Sequence, residues 1–162
     1  MIYYILAAIA LLTAPVLSYS SGAPTAVCDT LAPQHGGLLS QETNVPYTLT
    51  LSSTSVNDVE PISITLKGNS EADVIKGFVI QARVNGKPVG KFEPQGLSQT
   101  IDCSAPGDTL THKKISKDIN QIDAKWYPNS GLKGQNVQFV ATVVQRGDIF
   151  WVQKINESVQ VV

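Results

Sequence analysis

His35 and His112 are the only imidazoles in the chain, and Cys28 and Cys103 its only thiols. A metal centre would need further Asp or Glu ligands beside the two histidines, and neither has an i, i+4 partner or a nearby carboxylate signature. A zinc or redox role for the cysteines would need a closer spacing than 28 and 103. The nucleophile elbow Gly-x-Ser-x-Gly, a phosphate loop, a dinucleotide fingerprint and His-Glu-x-x-His are all absent. No catalytic residue, metal ligand or cofactor is therefore expected. What remains is chemistry of binding and of covalent linkage. His112-Lys113-Lys114-Ile115-Ser116-Lys117 sets three lysines within five positions, a patch that could meet phosphate or sulfated sugar. The plainer reading is a solvated loop or a strand edge guarded by lysines. Asn156-Glu157-Ser158 is an acceptor sequon for N-glycosylation, used only where the asparagine is exposed.

These residues must be placed in a compartment before their chemistry can be read. Residues 2–17 form an uncharged apolar run broken by Pro15 and followed by small residues. That is the pattern of a signal peptide, too short for a comfortable span of about 20 residues. Residues 1–20 are thus expected to be a leader, with cleavage after Ser18 or after Ser20 both fitting the small-residue rule. The end of the chain, Asn156 to Val162, lacks the apolar tail of a lipid-anchor signal. An exported chain with two cysteines pairs them by default, the alternative being two buried thiols. Pairing would close a loop of about 75 residues, for which the chain-entropy ceiling is about 4 kcal/mol.

A composition of 43% hydrophobic and 15% charged residues can bury one core, so residues 21–162 read as a single domain. The net charge of -1 supplies no field to draw in nucleic acid or an anionic membrane. Charge is nonetheless uneven. Asp29, Glu42, Asp58, Glu60, Glu71 and Asp73 face only Lys67 between Ser21 and Ile75, and the remainder of the chain is basic. Interleaving of the two halves as strands would neutralise both.

Alternation with period two dominates, and no stretch of helical length keeps a 3.6-residue apolar stripe. Strands are predicted at Tyr47 to Leu51, Ile62 to Leu66, Ile75 to Val84, Val89 to Phe92, Thr100 to Cys103, Thr109 to Lys113, Ile122 to Trp126, Val137 to Gln145 and Ile149 to Ile155. Spacings of about ten residues, punctuated by Gly, Pro and Asn, indicate an all-β sandwich. Asn85-Gly86 predicts a hairpin joining Phe78 to Val84 with Lys87 to Phe92, and Gly147-Asp148 a Gly-first turn joining the last two strands. Phe78, Ile80, Ala82 and Val84 share one face and should enter the core. Val137, Phe139, Ala141 and Val143 share a face while Val140 and Val144 occupy the other, which marks a central strand covered on both sides. Trp126 and Trp151 are expected in the core.

Several blocks, in order, resemble a Reeler (reelin-type) domain. They are Ser21-Gly22-Ala23-Pro24 with Cys28 and Pro33-Gln34-His35, Pro46-Tyr47, Lys76 to Arg83, Pro88 to Phe92, Cys103, Thr111-His112, Trp126, Phe139 to Gln145 and Phe150-Trp151-Val152. Free-standing domains of this length are similar to the insect defence protein family. The resemblance implies an immunoglobulin-like antiparallel sandwich, a Cys28–Cys103 bridge, and a haemolymph protein of innate immunity. It implies as partners microbial surface components such as lipopolysaccharide and β-glucan, with antimicrobial activity or nodulation by blood cells, and no catalytic set. The alternative is an extracellular protein-binding or developmental module that does not touch microbes. Two stretches depart from the pattern, Ser55 to Pro61 and the Lys113 that follows Thr-His, and both fall in loops or edges, where ligand specificity is carried.

Overall fold

The computed structural model describes residues 19–34 and 36–162. The expected leader up to Ser18, and His35, lie outside the described residues. Eleven strands follow one 3-10 turn at Thr25–Val27: β1 Tyr47–Leu51, β2 Ser55–Val56, β3 Ile62–Gly68, β4 Gly77–Val84, β5 Lys87–Pro88, β6 Lys91–Pro94, β7 Ser98–Ile101, β8 Thr109–His112, β9 Gln121–Tyr127, β10 Asn136–Arg146 and β11 Ile149–Val161. They form two sheets, ordered β1-β3-β9-β6 and β2-β11-β10-β4-β8-β7, with β5 beside β4. The expected all-β, disulfide-linked sandwich is what the chain builds. All pairings are antiparallel except β2, which runs parallel to the end of β11 over two residues.

Alternation in β3 and β9 buries Ile62, Ile64, Leu66, Ile122, Ala124 and Trp126 and leaves their neighbours to solvent. Facing them from the larger sheet are Phe78, Ile80, Ala82, Val137, Phe139, Ala141 and Val143, and these residues make one continuous core. Trp126 and Trp151 both belong to it, Trp126 edge-on to Phe139 at 5.2 Å between ring centres and Trp151 edge-on to Tyr47 at 5.6 Å. Each indole N–H finds a carbonyl, Val89 O for Trp126 and Thr43 O for Trp151. The Tyr47 hydroxyl donates to Val74 O at 2.6 Å, and burial followed by the Asp73 carboxylate pushes its pKa up to about 12.

Two local expectations change. The Asn85-Gly86 turn is present, with φ of 50° and 77°, but pairing with β4 covers Lys87–Pro88 and ends at a Val89 N–H to Ala82 O bond of 2.8 Å. The chain then leaves the larger sheet, and Lys91–Pro94 pairs with β9 in the other. The run Val89 to Phe92, read as one strand, is therefore the corner at which the chain changes layer. Gly90 makes the corner at φ 74°, its Cα against the Trp126 indole and its N–H donating to Asn129 Oδ1 at 3.0 Å. A Cβ there would stand 2.4 Å from Cε2 and Nε1 of the indole. Gly90→Ala is expected to cost about 2 to 4 kcal/mol from overpacking plus the left-handed backbone. Chemical denaturation would register it as a lower midpoint at an unchanged slope. The second turn does join β10 to β11, yet Gly147 does not take up a positive φ as a Gly-first turn would. A register shift between Val144 and Arg146 supplies the local twist instead, and Arg146 Nε donates to Asp148 at 2.7 Å.

The acidic and basic halves do interleave, since β3 lies between β1 and β9 and β2 lies beside β11. Ion pairs seldom cross between them. Among the described residues Lys154 with Glu42 is the pair that does, whereas Lys76–Asp118, Lys125–Glu93 and Arg146–Asp148 are internal to the second half.

Candidate functional site

Strand β10 is covered on both faces, as its doubled apolar pattern predicts, and so is β4. On the outer face Val79 and Val140 pack against Val27 and Leu31, a second, smaller apolar cluster separate from the core. The residues that cover them belong to the N-terminal segment 19–34, which crosses the larger sheet as a strap. At its start Tyr19 O meets His112 Nε2 at 3.2 Å, Ser21 O accepts from Gln99, and Ala23 N–H donates to Thr111 Oγ1 at 3.1 Å. Halfway along, Cys28 is bonded to Cys103, with 5.5 Å between their Cα atoms. The predicted bridge thus ties the strap to the loop between β7 and β8. Further on, Ser40 Oγ accepts from Val152 N–H and Gln41 N–H donates to Phe150 O, which fastens the segment to β11.

Sequence reasoning missed a polar clamp beneath the strap. Gln81 and Arg83 alternate with Val79 on the outer face of β4. Gln81 Nε2 donates to Cys28 O at 3.1 Å and to Thr109 Oγ1 at 3.0 Å, and its Oε1 accepts from Arg83 Nε at 2.7 Å. Arg83 reaches Cys28 O, Asp29 O and Gln153 Oε1, while Gln153 Nε2 donates to Thr30 O at 2.6 Å. Three carbonyls at the end of the 3-10 turn, which no helix or ladder satisfies, are thereby paired. Burial draws the Arg83 guanidinium below its usual pKa and the Asp29 carboxylate counters this. The signal for the clamp was the pair Gln81 and Arg83 standing in an otherwise apolar strand. Arg83→Ala is expected to cost about 1 to 2 kcal/mol, because the guanidinium is half-exposed, and to speed amide exchange at 28–31 well above that in β10. Exchange mass spectrometry would detect it.

Between the start of the strap and the sheet lies a cleft of about 280 Å³. Ala23, Pro24 and Leu31 line it from the strap, Val79, Thr142 and Val144 from the sheet. His112 closes one side. Its Nδ1 accepts from Phe78 N–H at 3.2 Å, and an Nε2–H tautomer satisfies Tyr19 O at the same time. His112 is buried and turned towards the cleft, whereas Lys113, Lys114 and Lys117 are exposed beyond the end of β8. The structure therefore does not bring the four members of the basic run into one patch: the three lysines face solvent and the imidazole faces inward. Lys76 stands at the mouth of the cleft, paired with Asp118. Asn156 is exposed on β11, its amide donating to Gln153 O at 3.4 Å. Among the described residues no three His, Cys, Asp or Glu side chains are grouped to hold a metal ion, and no helix is long and apolar enough to cross a membrane.

Two facing sheets, with a cystine-tied strap across the outer face of one, define a disulfide-linked β-sandwich module. The Reeler domain model matches residues 26–162, and the chain belongs to that family. It is 41% identical over 157 residues to a defence protein of Drosophila melanogaster, covering 94% of each chain. It is 34% identical over 149 residues to a putative defence protein of Hyphantria cunea, covering 89% of each. The reeler domain of human F-spondin superposes with a TM-score of 0.62 at 15% identity, over 76% of this chain and 94% of that one, a likeness of fold.

Proposed function

We propose that the protein is exported after removal of its leader and acts in innate defence by adhering to microbial surface components, lipopolysaccharide and β-glucan, rather than by catalysis. The observation that carries this reading is likeness along almost the whole chain to proteins named as defence proteins. Three features support it. The bridged cysteines suit an oxidising compartment. The cleft is lined by no carboxylate that could serve as acid or base beside His112. Lys113, Lys114 and Lys117 present three ammonium groups to solvent, where phosphate-bearing polymers can reach them. Antimicrobial activity or recruitment of blood cells would follow from such adhesion.

The test is retention of the purified protein on whole bacteria and on insoluble β-glucan, with a reduced and unfolded control. Retention on bacteria is expected to weaken as salt rises, because contacts between exposed charges are screened, and to fall in the triple variant Lys113→Ala, Lys114→Ala, Lys117→Ala. No retention on either surface would overturn the proposal. Association with host cells and not with microbes would transfer the assignment to an extracellular protein-binding module.

A further inference from the structure

The cleft beneath the strap has a chemistry that adhesion through surface lysines leaves unused. Its walls are aliphatic, from Ala23 and Leu31 above to Val79 and Val144 below, with Ile115 at the side. Among the described residues no carboxylate lines it, and the charged side chain that does, Lys76, is paired with Asp118. Polar side chains also line it, Tyr19, Ser20, Gln34, His112 and Thr142, but apolar surface predominates. His112 Nδ1 is engaged by Phe78 N–H, and Thr142 Oγ1 accepts from Gln153 N–H at 3.1 Å. A predominantly apolar concavity, at the low end of the size range of small-molecule sites, suits a ligand that brings shape and hydrocarbon.

Exposed hydrocarbon also lies further along the chain. Pro33 and Gln34 form part of the cleft's lip, and the chain beyond them carries Leu38 and Leu39, 51% and 84% exposed. From Thr30 to Gln41 there is no charged residue. This stretch is tied at both ends, by the clamp on Thr30 and by Gln41 N–H on Phe150 O. Neither is needed for the core, and both add apolar surface to the outside of the domain.

We propose that the cleft binds one unbranched alkyl chain of an amphiphile, inserted tail first. This goes beyond adhesion to microbes and stands or falls separately from it. A methylene fills about the ~30 Å³ that a water occupies in the liquid, so the cleft holds a chain of about nine carbons. Each methylene buried should tighten binding about fourfold, and the gain should stop once the cleft is full. An alkyl chain adsorbing on an open surface would show no such limit.

The experiment is calorimetric titration of the folded protein with sodium salts of straight-chain fatty acids from six to fourteen carbons, each below its micellar concentration. The expected result is saturable one-to-one binding that tightens about fourfold per carbon up to nine or ten carbons and then levels. Val144→Trp and Ile115→Trp fill the cleft from two sides. Each is expected to abolish binding in protein whose thermal transition remains cooperative, and two variants guard against one failing to fold. Decanoate in solution and phosphatidylglycerol vesicles are compared, since the alkyl chain could come from a free fatty acid or from a membrane lipid. Binding of decanoate alone assigns the site to free chains, and binding of both assigns it to either source. Absence of saturable binding, affinity that climbs without a break to fourteen carbons, or binding unchanged in both tryptophan variants would each overturn the proposal. Retention on whole bacteria, measured in parallel, reports on the adhesion reading and is expected to persist in both tryptophan variants.

Discussion

Replacing Cys28 and Cys103 together by serine is expected to lower the free energy of unfolding by up to about 4 kcal/mol, the chain-entropy value for a closed loop of this length. For a domain of this size that is a fall in Tm of roughly 12 °C. Native strain enters the balance little, because the two Cα atoms stand 5.5 Å apart, within the ordinary span of a cystine. The loss should also be uneven. Cys28 lies midway along the strap, so amides at 25–31 should lose protection first, whereas β9 and β10 should keep theirs. Differential scanning calorimetry of the oxidised protein and the double-serine variant measures the total. A loss below about 1 kcal/mol would mean that the unfolded chain already holds these segments together.

The second large effect is predicted at a residue with no role visible in the sequence. Asp108 is fully buried, and its carboxylate accepts from the N–H groups of Cys103 at 2.9 Å, Ser104 at 2.7 Å and Ala105 at 2.8 Å, and from Thr109 Oγ1 at 3.1 Å. One side chain thus satisfies three consecutive amides and shapes the loop that presents Cys103. Asp108→Ala would leave those amides unpaired, at about 3 to 5 kcal/mol in total once partial access to water is allowed for. Asp108→Asn keeps one oxygen in place and should cost about 1 to 2 kcal/mol. Urea titrations at constant slope would rank the two. Because Asp108 holds the amide of Cys103 itself, the cysteine and aspartate variants should couple, their combined loss falling short of the sum. Strict additivity would show that the loop does not position the bridge.

Much of the architecture was legible in the sequence because it repeats with period two. β1 lies where alternation put it, Asn85-Gly86 turns the chain where positive φ is needed, and the doubled apolar faces of β10 required cover on both sides. The cystine followed from the presence of two cysteines in a chain read as exported. The layer change at Gly90 was not read from the sequence, because Pro88 and Gly90 suit an irregular strand as well as a corner and only the position of Trp126 in space requires the corner. β2 was missed because two residues paired in parallel carry no periodic signal. The expected strand Thr100 to Cys103 begins and ends two residues earlier, because Asp108 folds Cys103 into a loop. β11 runs on to Val161, past the Ile155 at which alternation weakens. The candidate site was the least legible part. Gln81, Arg83 and Gln153 act on carbonyls more than fifty positions away, and His112 looked like a member of a basic run because sequence adjacency hides the direction in which the end of a strand turns its side chain.

The two apolar clusters of this molecule do not depend on each other, and this shapes how it would fail. Val27, Leu31, Val79 and Val140 sit outside the sandwich, while the layer between the sheets contains nothing contributed by the strap. In a reducing medium the outer segment could peel away without melting the interior, leaving a folded body with a greasy stripe uncovered along β4 and β10. Thiol-reducing conditions would therefore make the protein self-associate before it lost its sheets, and a light-scattering rise that precedes any change in far-ultraviolet dichroism would be the mark of that order of events.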